Sequence, residues 1–142
     1  MTDPLLNQVM EHLAFLGYSN PAIPPGPPLG YEVINAVHPM RMPFWVLPIA
    51  RGALFRALYN LSDAAKQDRS EGLAFVNDLN QLAVISHYYI AQDYLFCAAW
   101  YYGEYEQRRF GLFLDRFFFE NSLPHRQFRD RAERCIGPAR HV

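Results

Sequence analysis

The stretch Val84–Tyr102, VISHYYIAQDYLFCAAWYY, decides the fold of this chain. Its β-branched and aromatic residues, which no Gly or Pro interrupts, predict two strands joined by a tight turn at Gln92 and Asp93. A two-residue turn also sets the register, in which Tyr89 faces Phe96 across the strands. We therefore expect an antiparallel hairpin.

The predicted register divides the hairpin side chains between two faces, and both faces are largely apolar. One face receives Ile85, Tyr89, Tyr94, Phe96, Trp100 and Tyr102. The other receives Val84, Ser86, Tyr88, Ile90, Leu95, Cys97, Ala99 and Tyr101. Small side chains let a helix approach closely, so we expect helices on the face of Cys97 and Ala99. The ring-rich face is then open for an interface, or the chain covers it with its own proline-rich connector.

Composition places the chain among globular proteins. It has 142 residues, of which 51% are hydrophobic and 15% aromatic, so we expect one domain over residues 1–142. The net charge of −1 gives no general attraction for nucleic acid or an acidic membrane. The N-terminus is polar, no apolar run could cross a bilayer, and two cysteines make no disulfide framework. These observations predict a soluble cytoplasmic protein.

The charges are distributed unevenly along the chain. Residues 1–107 carry five basic and ten acidic side chains, whereas residues 108–142 carry eight basic and four acidic ones. The Arg-rich segment 124–142 is predicted to form a short helix and a tail. A solvated helix face is one interpretation of its arginines, and an acidic partner is the other.

The segments before the hairpin predict one helix, a connector and three strands. Residues 20–30 contain five prolines, which favour an extended connector or, alternatively, a ligand for an aromatic groove. Pro48 argues for an edge position or a bulge, Gly52 is expected to form a turn, and the third strand could also be helical. The predicted elements are a helix over Met1–Leu16 and strands over Tyr31–Val37, Phe44–Arg51 and Ala53–Leu61.

The remaining segments are predicted to be helical. A helix over Ser62–Ala83 is expected to break near Ser70 and Gly72. The other predicted helices are Glu104–Asn121 and Pro124–Cys135. Leu112 and Phe119 fall on the charged face of the first of these, which is typical of a contact surface; the alternative is that the C-terminal segment folds back over them. The charged side chains expected on that solvated face are Arg108, Arg109, Asp115, Arg116 and Glu120. The chain is thus predicted to be α+β, with an antiparallel sheet of about five strands and helices packed on one face.

No pattern of residues points to chemistry. The five histidines are scattered, without the spacing of metal ligands, and no phosphate-binding loop or serine elbow occurs. Cys97 lies within a strand and is predicted to be an inert, buried thiol. We therefore predict no catalytic residues, no metal site, no cofactor and no enzymatic activity.

The run leading into the hairpin carries a resemblance to a known family. Val76, Asn77, Leu79 and Asn80, followed by the two strands and the helical segment Phe110–Phe119, resemble the YbjN-like family, which shares its fold with type III secretion chaperones. The resemblance covers residues 44–122. It implies an antiparallel sheet with helices on one face, frequent dimerisation, no catalytic residues, and a role in holding other proteins.

The resemblance and the exposed aromatics together give a functional hypothesis. We expect a non-enzymatic chaperone or assembly adaptor, homodimeric, that binds an extended or terminal segment of another protein. The predicted contact residues are Trp45, Tyr89, Phe96, Trp100, Tyr102, Leu112 and Phe119. Two alternatives remain: a regulator that binds a small molecule in an aromatic pocket, and a single-stranded RNA binder. The hairpin has no Lys or Arg, so no nucleic acid is expected as a partner.

Overall fold

A computed structural model describes residues 4–19, 22–23 and 33–137. The strands are β1 (Ala22–Ile23), β2 (Val33–Ala36), β3 (Phe44–Ile49), β4 (Gly52–Asn60), β5 (Ser86–Ala91) and β6 (Tyr94–Tyr102). The helices are α1 (Pro4–Phe15), α2 (Asp63–Gln67), α3 (Arg69–Leu82), α4 (Gln107–Asn121), α5 (Leu123–Gln127) and α6 (Arg129–Cys135). All strand pairs are antiparallel, in the order β1-β2-β3-β4-β6-β5. The predicted α+β class is confirmed.

The β5–β6 hairpin has the register that its turn predicts. Tyr89 pairs with Phe96 and Ala91 pairs with Tyr94. The tight turn is completed by Gln92, which adopts a left-handed φ of 55°. The strand begins at Ser86, so Ile85 lies before the sheet and packs against the core instead of continuing the outward row of rings.

The core lies on a single face of the sheet, which we call the covered face. Rings of β3 and β4 meet rings of α4 there: Phe55 lies 5.7 Å from Phe110 and 5.0 Å from Phe113, measured between ring centroids. Buried side chains of all six helices join the same cluster, including Leu6, Ala65, Phe75, Phe117, Leu123 and Ala132. Among the described residues, no side chain from the opposite face of β3, β4, β5 or β6 belongs to this cluster.

The β3–β4 hairpin corrects the prediction for Gly52. Its turn is formed by Ala50 and Arg51, and Arg51 has a φ of 64°. Gly52 instead begins β4, where a Cβ atom would lie 2.1 Å from the carbonyl oxygen of Tyr101. The glycine is therefore required by the close approach of β6.

The edge position or bulge expected at Pro48 is not found in the described residues. β3 is an inner strand, between β2 and β4. Pro48 pairs with Ala53 of β4 in a register that continues without interruption from Trp45 to Ile49. Ala53–Leu61, for which a helix was the alternative, forms most of β4.

The helical region after β4 begins as predicted but breaks earlier. The Ser62 hydroxyl accepts a hydrogen bond from the Ala65 N–H at 3.1 Å, which caps α2. The break falls at Asp68, not near Ser70 and Gly72, because the Asp68 carboxylate caps α3 by accepting from the Glu71 N–H. The predicted single helix Pro124–Cys135 is likewise divided into two, with Phe128 between them.

Several predictions lie outside the described residues. These are the first three residues of the predicted helix Met1–Leu16, most of the proline-rich connector 20–30, the start of the first predicted strand, and the tail after Gly137. Within the connector, Ala22 and Ile23 pair with β2 as a two-residue strand at the edge of the sheet. This edge position is compatible with the neighbouring prolines. Ser19 and Val37 form an isolated bridge beside it.

One carboxylate fastens α4 to the beginning of β5. Glu120 is fully buried, and its side chain accepts from the N–H groups of Val84 and Ser86 at 2.8 Å, from the Ile85 N–H at 3.2 Å, and from the Arg116 Nε at 2.6 Å. The sequence placed Glu120 on the solvated face of this helix, which is wrong. The side chain satisfies backbone donors that precede the strand, so the burial of its charge is compensated.

Candidate functional site

The opposite face of the sheet carries a layer of rings, which we call the aromatic face. It is formed by Trp45, Arg56, His87, Tyr89, Phe96 and Trp100. Strand pairing aligns Trp45 of β3 with Arg56 of β4, and Arg56 with Ala98 of β6. His87 of β5 also pairs with Ala98, so one row crosses four strands. The row is a direct product of sheet register.

Stacked rings make this layer continuous on the β5–β6 side. The His87 ring lies 4.7 Å from Trp100 with an angle of 11° between their planes, and 5.3 Å from Tyr89 with an angle of 22°. Tyr89 and Phe96 stack at 5.0 Å and 16°. Stacked arrangements of this kind are favourable for aromatic pairs, so these contacts hold the rings together as one layer.

Arg56 lies within the layer as a cation among rings. Its guanidinium lies 5.1 Å from the centroid of Phe96 and 5.8 Å from that of Trp45. Its Nε atom is buried and donates no hydrogen bond, and no ion pair involves this side chain among the described residues. A buried N–H of a cation that lacks an acceptor favours an incoming carboxylate.

The structure brings five of the seven predicted contact residues onto this side of the sheet. Trp100 and Tyr102 are 38% and 59% exposed, respectively. Trp45, Tyr89 and Phe96 are half-buried because their neighbours pack against their sides. The sequence did not single out Arg56 or His87 for this layer. The position of His87 on this face could have been predicted, because it lies two residues from Tyr89 on the same strand. The position of Arg56 depends on the pairing of β4 with β6, which the sequence does not indicate.

The other two predicted residues lie on a separate surface. Leu112 and Phe119 are 63% and 39% exposed on α4, the helix that packs on the covered face. Arg116 and Arg126 place their guanidinium carbons 4.9 Å and 5.5 Å from the centroid of Phe119. These two apolar side chains are therefore separated from the aromatic face by the sheet and its core.

Burial sets the protonation of the groups near the hairpin. Desolvation lowers the pKa of His87, so its ring favours the neutral form that stacks on Trp100. Burial raises the pKa of Cys97 to about 12. That thiol therefore stays protonated at neutral pH, which makes it a poor nucleophile.

The free edge of β5 is occupied by a side chain from α3. The Asn80 amide donates to the Tyr88 carbonyl oxygen at 2.9 Å and accepts from the Tyr88 N–H at 2.7 Å. Asn80 thus pairs with the edge as a residue of another strand would. Glu120 accepts from the Ser86 N–H farther along the same edge. Two outward-facing positions of β5 are therefore satisfied internally.

A cavity of about 570 Å³ opens between the sheet and the C-terminal helices. The segment 40–43, the end of β4, the C-terminal half of α4, and α5 surround it. Its lining includes Met42, Phe44, Phe117 and Phe118 as well as polar groups. The size and mixed lining fall within the range of small-molecule sites. We call it the α4–α5 cavity.

The described part of the chain contains neither a membrane-spanning helix nor a cluster of metal ligands. Within the ranges 4–19, 22–23 and 33–137, no helix is both long and apolar enough to cross a bilayer. In the same part of the chain, no three His, Cys, Asp or Glu side chains gather as a metal site would require.

Comparison with known proteins identifies the fold. No protein-family model matches the chain, and no curated protein matches it in sequence. The structure is similar to the crystal structure of YbjN, a suggested transcription regulator from E. coli, with a TM-score of 0.69 and 15% sequence identity. The similarity covers 95% of this chain and 97% of that one. The chain therefore has a YbjN-like fold, as the element order and the Val76–Asn80 run predicted.

Proposed function

We propose that this chain is a protein-binding factor without catalytic activity, a small chaperone or assembly adaptor that holds an extended segment of another protein on its aromatic face. One observation carries the proposal. A layer of rings lies outside the core, around a cation, Arg56, that has no acceptor among the described residues. The sheet offers no described helix to cover this layer.

The composition of the aromatic face indicates the chemistry of the partner segment. Burying ring surface contributes about 25 cal/mol per Å² of apolar area, which favours aliphatic or aromatic side chains. Arg56 is the charged residue that β3 to β6 place on this face, so one carboxylate of the partner segment can pair with it. The proposed partner is therefore an extended segment in which one Asp or Glu is flanked by apolar residues.

The face suits this role better than the β5 edge. Asn80 and Glu120 already satisfy backbone groups of Tyr88 and Ser86, so a partner strand added there would have to displace both side chains. The resemblance to secretion chaperones also allows a partner strand to be added at a sheet edge. The contacts at the β5 edge favour side-chain recognition on the aromatic face instead.

We also propose that the chain forms a homodimer in the cytoplasm, through the surface of α4. Leu112 and Phe119 are exposed on that helix and leave the aromatic face free for a partner. Cys97 and Cys135 are both free thiols, which suits a reducing compartment. Sedimentation of the doubly substituted Leu112→Ser, Phe119→Ser chain tests this point, and a mass equal to that of the wild type contradicts it.

A displayed peptide library tests the proposed function. Selection on the wild-type chain is expected to enrich peptides that contain an acidic residue between apolar residues. Trp100→Ala is expected to abolish enrichment, and Arg56→Gln is expected to keep apolar residues but lose the acidic preference. Leu73→Ala, at an exposed position of α3 outside both proposed contact surfaces, is the matched control and should select the same peptides as the wild type.

Two results contradict the proposal. One is a library that enriches nothing on the wild-type chain. The other is a Trp100→Ala chain that selects the same peptides. Single-stranded RNA is the competing ligand for stacked rings, and retention on it that falls steeply with salt favours that alternative. Because Arg56 is the one cation that the described strands place on this face, binding of the proposed peptide should weaken only slightly as the salt concentration rises.

A further inference from the structure

The α4–α5 cavity combines an apolar interior with a basic rim. Phe44, Phe117 and Phe118 line it as a cluster, with centroids 5.6 Å apart for Phe44 and Phe117, and 6.0 Å apart for Phe44 and Phe118. Met40 and Met42 line the side formed by the segment before β3. Methionine adapts its shape to different ligands, so this side can accommodate an apolar body of variable outline.

Two arginines at the cavity are held by rings and make no ion pair among the described residues. The guanidinium carbon of Arg41 lies 5.1 Å from the Phe118 centroid, and that of Arg126 lies 5.5 Å from the Phe119 centroid. Arg126 Nε also donates to the Ser122 hydroxyl at 3.1 Å. Asp115 is the acidic residue in the lining, so the arginines outnumber it. The rim therefore favours an anion.

The polar groups deeper along the lining are mostly engaged with the protein itself. Tyr59 donates its hydroxyl proton to the Asn121 carbonyl oxygen at 2.6 Å. The His125 Nε2 atom lies 2.7 Å from the Gly137 carbonyl oxygen, which fixes the proton on that nitrogen. The exception is the side-chain oxygen of Asn121, which is buried and accepts no hydrogen bond from the described residues. A hydroxyl or amide N–H could donate to it.

We infer that this cavity binds a small amphipathic anion, with a carboxylate or phosphate head at Arg41 and Arg126 and an aliphatic or aromatic body against the phenylalanine cluster. The cavity volume of about 570 Å³ is sufficient for a ligand of that class. The site lies on the covered side of the sheet, so the inference does not depend on the aromatic face or on the proposed protein-binding role.

Calorimetric titration of the full-length chain with decanoate, decyl phosphate and neutral decanol tests the inference. At least one of the two anions is expected to bind, and decanol about tenfold or more weakly, because charge-assisted hydrogen bonds to guanidinium are lost. Preference for decanoate over decyl phosphate, or the reverse, identifies the head group. Equal binding of decanol and both anions overturns the inference, as does the absence of binding by all three.

Variants locate the bound anion. Arg41→Gln and Arg126→Gln are each expected to weaken anion binding about tenfold. Arg69→Gln, an exposed arginine outside the lining, is the matched control and should bind as the wild type does. Met42→Trp fills the cavity and is expected to abolish binding, with folding checked by circular dichroism. Unchanged affinity in both arginine variants overturns the inference.

Tryptophan fluorescence separates the cavity from the aromatic face. Both tryptophans of the chain, Trp45 and Trp100, lie on the aromatic face. An anion in the cavity should leave their emission unchanged, and Trp100→Ala should bind it normally. Strong quenching together with weaker binding by Trp100→Ala would place the anion on the aromatic face and overturn the inference.

Discussion

The two faces of the sheet are both rich in rings, but among the described residues helices cover only one of them. On the covered face, Phe55 meets the phenylalanines of α4 and is fully buried. On the aromatic face, Trp100 stacks on His87 and remains 38% exposed. Ring content alone therefore does not distinguish a core from a contact surface. What distinguishes them is whether each ring has helical neighbours within the chain.

The largest expected effect comes from truncating one ring on each face. Phe55→Ala should lower the free energy of unfolding by about 3–5 kcal/mol, because it leaves a cavity in the core. Trp100→Ala should lower it by about 1–2 kcal/mol, because this side chain is 38% exposed and its removal leaves no enclosed cavity. Denaturant titration followed by circular dichroism measures both. Equal losses would show that the aromatic face is part of the core.

A smaller effect is expected from removing the carboxylate that closes the covered side. Glu120→Ala leaves three N–H groups and the Arg116 guanidinium without their acceptor, so we expect a loss of about 3 kcal/mol. Asp115→Ala removes an exposed carboxylate from the same helix and should change stability by about 0.5 kcal/mol or less. A similar loss in both variants would contradict the role of Glu120.

A still smaller loss of stability is expected from removing the side chain of Asn80 at the free edge of β5. Asn80→Ala should cost about 1–2 kcal/mol, because the N–H and carbonyl groups of Tyr88 lose their partner. The freed edge should also increase self-association, which analytical ultracentrifugation at several concentrations detects. Exposed Asn77→Ala, one turn earlier on α3, is the control. If Asn80→Ala has the same stability and the same degree of self-association as the control, Asn80 does not protect this edge.

The smallest effect is a difference in pH dependence. Burial would raise the pKa of Glu120, but the hydrogen bonds from Val84, Arg116, Ile85 and Ser86 outweigh it and hold the pKa below the usual 4.5. The unfolded chain therefore takes up a proton at a higher pH than the native chain does. The stabilisation that Glu120 contributes is therefore fully present above pH 4.5, and it is lost as the pH falls toward the pKa of the folded chain.

Comparison with Glu120→Gln isolates this contribution. The wild type should be more stable than the variant at neutral pH, and the difference should shrink as the pH falls below 4.5. Urea titrations across that range measure it. A difference that stays constant with pH would mean that the carboxylate is not held ionised by its hydrogen bonds.

The hairpin was predictable because its determinants are neighbours in the chain. Alternating β-branched and aromatic residues and a two-residue turn fix the pairing of Tyr89 with Phe96 without outside information. The placement of helices on the side of Cys97 and Ala99 follows from the same alternation and side-chain size. The helix start at Ser62 was also predicted correctly, since its hydroxyl acts on the next turn of the chain.

Other features depend on contacts that are distant in sequence. Glu120 is buried because residues 84–86 lie beside it, and nothing near Glu120 in the chain indicates this. Arg56 joins the aromatic face only because β4 pairs with β6 across the intervening helices. The α4–α5 cavity likewise needs the segment 40–43 to meet α5. The periodicity of apolar residues predicts helices and strands, but it does not predict which distant segments come into contact.

The position of Arg56 has a consequence for symmetry. A twofold axis through the middle of the aromatic face would set the Arg56 guanidinium of one copy against the same group of the other copy. Like charges brought together in a desolvated contact repel each other, so the arginine selects against a face-to-face pair of identical chains. A ring-rich surface that would otherwise adhere to itself is thereby reserved for a molecule that brings the opposite charge.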